Sequence, residues 1–153
     1  MVVDDRGLSE KRERLKRFIL KNRRKASTEG VNHIAIFAND LEKTADFYSR
    51  VLGMPVISVT GNRDEPQSTH MNVDMGNGMG LAFFDFPHVA RIQTPVEEGI
   101  GGMMHIAINV PEAEYEEISD RLALEGVTNR RIGDSVYLKD PNGMTIELGI
   151  RKA

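Results

Sequence analysis

The sequence predicts an α+β fold in which one small module occurs twice. The tetrapeptide His-Ile-Ala-Ile begins at His33 and again at His105, an offset of 72 residues. Each copy is followed by a helical pattern that ends at a glycine, Gly53 or Gly126, and then by short apolar runs typical of strands. Repetition at a fixed spacing indicates a duplicated structural unit, here of the order β-α-β-β-β.

Residues 1–30 form a basic arm ahead of the two modules. They hold ten Lys and Arg against five Asp and Glu, a net charge of +5, whereas the remaining residues hold ten against 18, a net charge of −8. Ser9 is a suitable N-cap for a helix that runs to about Lys25. Its narrow apolar stripe consists of Leu8, Leu15, Phe18 and Ile19. We expect the arm to dock on the body or on a second subunit.

Binding of the arm to nucleic acid or to an anionic surface is the alternative interpretation. Ten basic residues favour it. Glu10 and Glu13 dilute the positive charge, however, and few aromatic residues are interleaved for base stacking. We therefore do not expect a nucleic-acid partner.

The first module is predicted to span residues 31–88. Its first strand is the β-branched run 31–37, and Asn39 or Asp40 then caps a helix that continues to about Val51. Further strands are predicted at 56–59, 69–74 and 81–84, separated by a polar turn at 62–66 and by Asn77-Gly78.

The glycine-rich residues 89–102 are predicted to link this module to a second one at residues 103–150. After the strand that starts at His105, a helix is expected from Glu112 to Glu125. Strands follow at 127–131 and 135–139, and a hairpin closes the module. Asp140-Pro141-Asn142-Gly143 supplies its turn, because proline presets φ and Asn-Gly tolerates positive φ.

The returning strand of this hairpin carries a carboxylate, Glu147, between Ile146 and Leu148. Side chains alternate along a strand, so Glu147 shares a face with Thr145 rather than with its apolar neighbours. A partly exposed strand glutamate is the simpler interpretation. If the carboxylate is buried instead, a cation or hydrogen bonds must offset a cost of several kcal/mol.

Composition limits the chemistry that the chain can perform. The 153 residues are enough for one domain with a sizeable core. No apolar run approaches the ~20 residues of a membrane helix, and no signal-peptide pattern opens the chain, so we expect a cytoplasmic protein. The sequence has no cysteine, which excludes thiolate ligands and cysteine nucleophiles. A metal would have to be held by His, Asp or Glu.

Two such modules can bury their free sheet faces against each other around a shared cleft. His33, His105 and Glu147 would then converge. Two histidines at equivalent positions of a repeat, with an unpaired carboxylate, favour a divalent metal site over three structural residues.

At these residues the chain resembles the vicinal oxygen chelate superfamily, which includes glyoxalase I, extradiol dioxygenases, fosfomycin-resistance transferases and the bleomycin-resistance proteins. The matching features are the two His-Ile-Ala-Ile runs, Phe47-Tyr48, Leu52-Gly53-Met54, the turn 140–143 and Ile146-Glu147-Leu148. The resemblance covers residues 31–150. It implies an open, barrel-like mixed sheet around a central cleft, and it places His33, His105 and Glu147 on three metal positions of the family.

The resemblance also implies a fourth metal position, which is Ala82 when the turn at Asn77 is aligned with the turn at Asn142. Alanine cannot ligate, so we expect a three-ligand open site as in the extradiol and fosfomycin-type members. Tyr137 lies ten residues before Glu147, as a tyrosine does in extradiol enzymes, and is a candidate catalytic residue. Their acid-base histidine is missing from the equivalent strand, and His70 in the preceding strand is the candidate to replace it. The alternative is that His70 is an exposed or structural histidine.

The expected function is that of a metal-dependent enzyme, of dioxygenase, lyase or transferase type. Its small substrate would chelate Fe(II), Mn(II) or Zn(II) through adjacent oxygens. The alternative is a metal-free binding protein of the bleomycin-resistance type, which would not need Glu147 between two histidines. Small two-module chains of this appearance commonly pair, so we also expect a homodimer.

Overall fold

The structure is a computed structural model that describes residues 5–19, 26–90, 100 and 102–151. The chain divides into two compact units, Met1–Gly30 and Val31–Ala153. In the first unit, helix α1 spans Asp5–Lys16, so it begins earlier than the predicted Ser9. Residues 17–19 form a turn, and the predicted continuation over residues 20–25 lies outside the described residues. None of the described helices is both long and apolar enough to cross a membrane.

The second unit contains the predicted βαβββ module twice, which confirms the duplication. Module one consists of β1 His33–Phe37, α2 Leu41–Asp46, a π-helical turn Phe47–Val51, β2 Val56–Gly61, β3 Thr69–Gly76 and β4 Met79–Phe84. Module two consists of β5 Ile106–Pro111, α3 Glu112–Leu124, β6 Asn129–Ile132, β7 Ser135–Lys139 and β8 Thr145–Arg151. Most of the predicted linker 89–102 lies outside the described residues.

Each module forms one mixed sheet of four strands. The strand orders are β1-β4-β3-β2 and β5-β8-β7-β6, and in both sheets the first pair is parallel and the others are antiparallel. The two orders are the same when the repeat is superimposed. The sheets do not close into a barrel.

The local sequence explains where helix α2 begins and how it continues. Asp40 caps α2 by accepting a hydrogen bond from the backbone N–H of Lys43 at 3.0 Å. The helix then widens into the π-helical turn, which ends with the N–H of Leu52 bonded to the carbonyl of Phe47. Gly53 follows with φ +74°, the left-handed conformation in which a glycine commonly ends a helix. The predicted helix to Val51 is thus present, with its last part π-helical.

One face of each sheet packs on the helices. The largest fully buried side chains include Tyr48, Phe83, Leu81, Ile146 and Leu148, and all five belong to one apolar core. The four of them that belong to strands, Leu81, Phe83, Ile146 and Leu148, lie on the helix-facing side, as period-two alternation predicts.

The opposite faces of the two sheets are open in the single chain. On β1, His33, Ala35 and Phe37 are exposed, and on β5 so are Ala107 and Asn109. We expected these free faces to pack against each other, and within one chain they do not. The physical reason is that the modules meet on their helix sides instead.

The clearest contact between the modules joins Tyr48 to the turn of the last hairpin. Tyr48 is fully buried and donates a hydrogen bond to the Asp140 carboxylate at 3.1 Å. The backbone N–H of Asn39 donates to the side-chain oxygen of Asn142 at 3.0 Å. On the surface, Arg50 forms an ion pair with Glu125.

Candidate functional site

Glu147 lies on the open face of the second sheet with three hydrogen-bonding neighbours. Its Oε2 is 3.0 Å from Nε2 of His105, and its Oε1 accepts a hydrogen bond from the Ser135 hydroxyl at 2.6 Å. Tyr137 lies opposite Glu147 in the strand register, and its hydroxyl donates a hydrogen bond to the carboxylate. The Glu147 side chain is only 16% exposed. Its three partners supply the hydrogen bonds that offset the cost of burying a carboxylate.

These contacts fix the protonation of both acid groups. Hydrogen bonds from Ser135 and Tyr137, together with nearby His105, lower the pKa of Glu147 below its usual value despite partial desolvation. The hydrogen bond to Glu147, followed by desolvation, raises the pKa of Tyr137 above its usual value. Near neutral pH the site therefore holds a carboxylate and a protonated phenol.

The ring of His105 is held in a defined orientation. It packs edge to face on Tyr137, with ring centres 5.7 Å apart, and its side chain is 25% exposed. The His105 side chain is therefore partly accessible from the open face of the sheet.

His33 lies in a cavity on the open face of the first sheet. Its Nδ1 is 2.7 Å from the side-chain oxygen of Asn32. When Nδ1 donates to that oxygen, the lone pair of Nε2 is free to bind a cation. The cavity has a volume of about 480 Å³ and is also lined by Ser58, Asn72 and Asp74, among others.

His70 lines the same cavity. Its ring stacks on Phe84 with centres 4.4 Å apart and planes inclined by 20°, and its Nε2 is 3.2 Å from the Asn72 side-chain oxygen. Asn72 in turn donates to the Ser58 hydroxyl at 2.8 Å. The imidazole is therefore oriented by both a ring and an amide.

The single chain brings together two of the three predicted metal ligands. His105 and Glu147 are in contact, whereas His33 lies in the module-one cavity. In the part of the chain that the structure describes, no group of three or more His, Cys, Asp or Glu residues could hold a metal ion. The three-ligand site stays a prediction.

The strand registers support the alignment that singled out Ala82. Ala82 pairs with Ala35 across β4 and β1, and Glu147 pairs with Ala107 across β8 and β5. Ala35 and Ala107 are equivalent in the repeat, so Ala82 occupies the module-one position of Glu147. Module one therefore offers no carboxylate there.

Ser135 and Asn32 are neighbours of the predicted site residues that the sequence pattern did not single out. Ser135 precedes Tyr137 by two residues on β7, so period-two alternation would have placed its hydroxyl on the Glu147 face. Asn32 directly precedes His33, and its role depends on a side-chain rotamer that a sequence pattern does not specify.

Comparison with known proteins assigns these features to a family. The model of the Glyoxalase/Bleomycin resistance protein/Dioxygenase superfamily matches residues 30–148. The putative ring-cleaving dioxygenase MhqA of Bacillus subtilis is 28% identical over 130 residues, which are 78% of this chain and 39% of that protein. The chain thus spans about two fifths of the length of this curated relative.

Two further proteins match over most of their own length. Glutathione transferase FosA of Serratia marcescens is 28% identical over 126 residues, 80% of this chain and 81% of that protein. The crystal structure of fosfomycin resistance protein FosX of Listeria monocytogenes, complexed with Mn(II) and sulfate, superimposes with a TM-score of 0.62. It is 22% identical and covers 82% of this chain and 94% of its own, so this likeness concerns the fold.

Proposed function

Because the chain belongs to the Glyoxalase/Bleomycin resistance protein/Dioxygenase superfamily, we propose that it is a metal-dependent enzyme. Its substrate is a small molecule that chelates the metal through two adjacent oxygen atoms. The observation that supports this proposal is the contact of His105 with an ionised Glu147 on an open sheet face. An imidazole beside a carboxylate, with no thiolate, suits Fe(II), Mn(II) or Zn(II).

The geometry of the pair fits a shared cation. Two ligand atoms bound at right angles to one metal, with bonds of about 2.1 Å, are about 3 Å apart. The separation of Nε2 of His105 from Oε2 of Glu147 is 3.0 Å. Ser135 holds the other carboxylate oxygen, which fixes the orientation of the ligand. When bound, the cation stabilises negative charge that develops on the chelating oxygens.

His33 completes the site from a second copy of the chain in a homodimer. Both helix-free sheet faces are open in one chain, and each carries part of the predicted ligand set. Placing the module-two face of one copy over the module-one face of another joins His33 of one chain to His105 and Glu147 of the other. The equivalent contact on the opposite side makes the dimer two-fold symmetric.

Tyr137 keeps its proton in the free site and is proposed to act as a donor. Its raised pKa rules out a role as a base near neutral pH, because the phenol stays protonated. Its hydroxyl is aimed at the Glu147 carboxylate, beside which the substrate oxygens bind. Donation to a substrate oxygen as negative charge develops there would lower the barrier.

His70 is proposed to carry a proton to or from the substrate. It lines the cavity that contains His33, and its Nε2 hydrogen bond to Asn72 leaves Nδ1 as the second proton site. The arrangement is compatible with dioxygenase, lyase or transferase chemistry.

The relatives bear on the choice between an enzyme and a binding protein. MhqA and FosA carry the names of a ring-cleaving dioxygenase and a glutathione transferase. They lend no support to a metal-free protein of the bleomycin-resistance type. The FosX structure contains Mn(II), which makes Mn(II) the first metal to test. A cytoplasmic location stays a prediction.

Complementation between two inactive variants tests the proposed site. His33→Ala and Glu147→Gln are purified separately, mixed under conditions that exchange subunits, and assayed for tightly bound Mn(II) by equilibrium dialysis. Each variant alone should bind metal at least about tenfold more weakly than wild type. After random exchange half of the dimers are mixed, each with one intact site, so about a quarter of the sites should recover.

The matched control is His88→Ala, which removes an exposed histidine outside the proposed ligand set and should bind metal as wild type does. No recovery on mixing would contradict a site shared between chains. Absence of tight metal binding by wild type, after reconstitution with each of the three metals, would contradict the metal-dependent function itself.

A further inference from the structure

The cavity on the open face of the first sheet contains one carboxylate, that of Asp74. His70, Asn72 and Asp74 alternate along β3 with buried apolar residues, so their side chains lie on the open face. Asp74 lines the same cavity as His33. Among the described residues, no Lys or Arg lines this cavity, and Asp74 is its one acidic side chain. The cavity therefore holds a negative charge with no Lys or Arg beside it.

Backbone geometry holds the Asp74 carboxylate in place. Strand β3 has an irregular register between Asp74 and Gly76, and Gly76 has φ +90°. In this conformation the backbone N–H of Gly76 donates a hydrogen bond to Oδ1 of Asp74 at 2.7 Å. Within the described part of the chain, Oδ2 has no hydrogen-bond or ion-pair partner. One carboxylate oxygen is therefore fixed, and the other is free to accept a hydrogen bond from a ligand.

Neighbouring polar side chains of the cavity are engaged with one another. The Asn72 amide donates to the Ser58 hydroxyl at 2.8 Å, and its oxygen is 3.2 Å from Nε2 of His70. A carboxylate oxygen is also a stronger acceptor than a neutral amide or hydroxyl oxygen. A positively charged donor that enters the cavity therefore binds best at Oδ2 of Asp74.

Gly80 leaves space between Asp74 and the proposed metal ligand His33. In the register, Gly80 pairs with His33 on one side and with Asp74 on the other. Two strand spacings separate His33 from Asp74, about 10 Å between their Cα atoms. Because glycine has no side chain, the floor between the two residues is backbone. The gap accommodates a short alkyl chain of a substrate whose oxygens are bound near His33.

We propose that Asp74 makes this protein selective for chelating substrates that carry a positively charged group, such as an ammonium group, a few bonds from the chelating oxygens. This inference rests on the proposed metal-dependent function, because the metal at His33 holds the oxygens while Asp74 holds the positive group. An ammonium group donates a charge-assisted hydrogen bond to Oδ2. A carboxylate or phosphonate in the same place is repelled by a like charge.

Three hydroxamates separate the charge of the ligand from its chelating group. 4-Aminobutanohydroxamate, pentanohydroxamate and the monohydroxamate of glutaric acid share the chelating oxygens and a chain of three methylene groups. They end in an ammonium, a methyl and a carboxylate group, respectively. Each is titrated by calorimetry into the Mn(II)-loaded full-length protein at about pH 8, where an imidazole is ordinarily neutral.

The comparison is between wild type and Asp74→Asn, because asparagine keeps an oxygen for the Gly76 N–H and removes the charge. The charge of the bound metal acts on the three tails alike in both proteins, so the difference between the proteins reports the effect of Asp74. Asp74→Asn should lower the preference for the ammonium tail over the methyl tail about tenfold. It should also raise the affinity for the carboxylate tail relative to the methyl tail. Asp74→Ser, with a shorter neutral side chain, should give the same two changes.

The matched control is Asp64→Asn, which removes the same charge from the turn between β2 and β3. Asp64 is exposed, pairs with Arg63 and does not line the cavity. This variant should leave the order of the three affinities as it is in wild type. Thermal melts check that every variant is folded.

The possible results distinguish this inference from the function on which it rests. Tail preferences that are the same in wild type and Asp74→Asn overturn the role of Asp74 and leave the metal site in place. An ammonium preference that is lost equally in Asp64→Asn also overturns it, because a long-range field rather than a contact is then responsible. Loss of the dimer in Asp74→Asn, measured by light scattering, overturns it as well and assigns the carboxylate to a contact with a second copy. If none of the three hydroxamates binds in a metal-dependent manner, the proposed function fails too.

Discussion

Replacing Tyr48 by phenylalanine tests the contact that holds the two modules together. The Tyr48 side chain is fully buried, and its ring packs on Phe83 with centres 5.0 Å apart and on Phe47 at 5.5 Å. Tyr48→Phe keeps these ring contacts and removes one hydroxyl. The change therefore isolates the hydrogen bond to Asp140.

The expected loss follows from the surroundings of Asp140, which is only 5% exposed. Besides Tyr48, its carboxylate accepts hydrogen bonds from the backbone N–H groups of Asn142 at 2.9 Å and Met144 at 2.8 Å, and from the Asn142 amide at 3.2 Å. A hydrogen bond to a charged group contributes about 1.5–3 kcal/mol. Three bonds remain to solvate the carboxylate, so we expect a loss near the lower end, about 1.5–2 kcal/mol.

Urea denaturation monitored by circular dichroism measures this loss. For a chain of this size it corresponds to a decrease in Tm of roughly 3–8 °C. Tyr115→Phe is the control, because Tyr115 is partly exposed on α3, and it should change the free energy of unfolding by no more than about 0.5 kcal/mol. A loss below about 0.5 kcal/mol for Tyr48→Phe would refute the argument that this bond couples the modules.

Three further predictions concern pH, the final turn and the open side of the metal site. Burial, with Asp140 nearby, raises the pKa of Tyr48 far above its usual value. Above about pH 10 the folded state keeps the phenolic proton that the unfolded state loses, so the free energy of unfolding should fall as pH rises. Tyr48→Phe should make this decrease with pH smaller in thermal melts at alkaline pH. Gly143→Ala should cost about 1–2 kcal/mol, because Gly143 has φ +89° with open space around it, whereas Gly61→Ala, without positive φ, should cost less in the same urea titration. Ala82→Glu should raise the affinity for Mn(II) about tenfold or more and lower the affinity for a chelating ligand such as acetohydroxamate. If equilibrium dialysis and calorimetry show that neither affinity changes, the open-site model is refuted.

Alternation and repetition, which are properties of the chain itself, were enough to predict much of the fold. The repeat of His-Ile-Ala-Ile predicted two modules, and each is present with the same strand order. Period two placed Glu147 opposite the core face, where it lies with Tyr137. These predictions succeed because side-chain direction in a strand follows from backbone geometry alone.

Predictions of local detail were less accurate where several backbone conformations compete. The helix in the arm begins at Asp5 rather than Ser9, so it continues through Gly7 despite the low helix propensity of glycine. In the last hairpin Gly143 has positive φ. Its neighbour Asn142 does not, whereas in the turn Asn77-Gly78 both residues have positive φ. The same dipeptide thus adopts two turn geometries in two settings.

The amino-acid sequence by itself determined the duplicated module, the strand faces and the residue types available to bind a metal. Only the tertiary structure decided which faces meet, because packing of Tyr48 on Asp140 joins the modules on their helix sides and leaves His33 apart from Glu147. The group of ring contacts among Phe37, His70, Phe84 and Phe86 also required the structure. Phe37, Phe84 and His70 lie on three different strands, and the register between strands is set by long-range pairing that no local pattern contains.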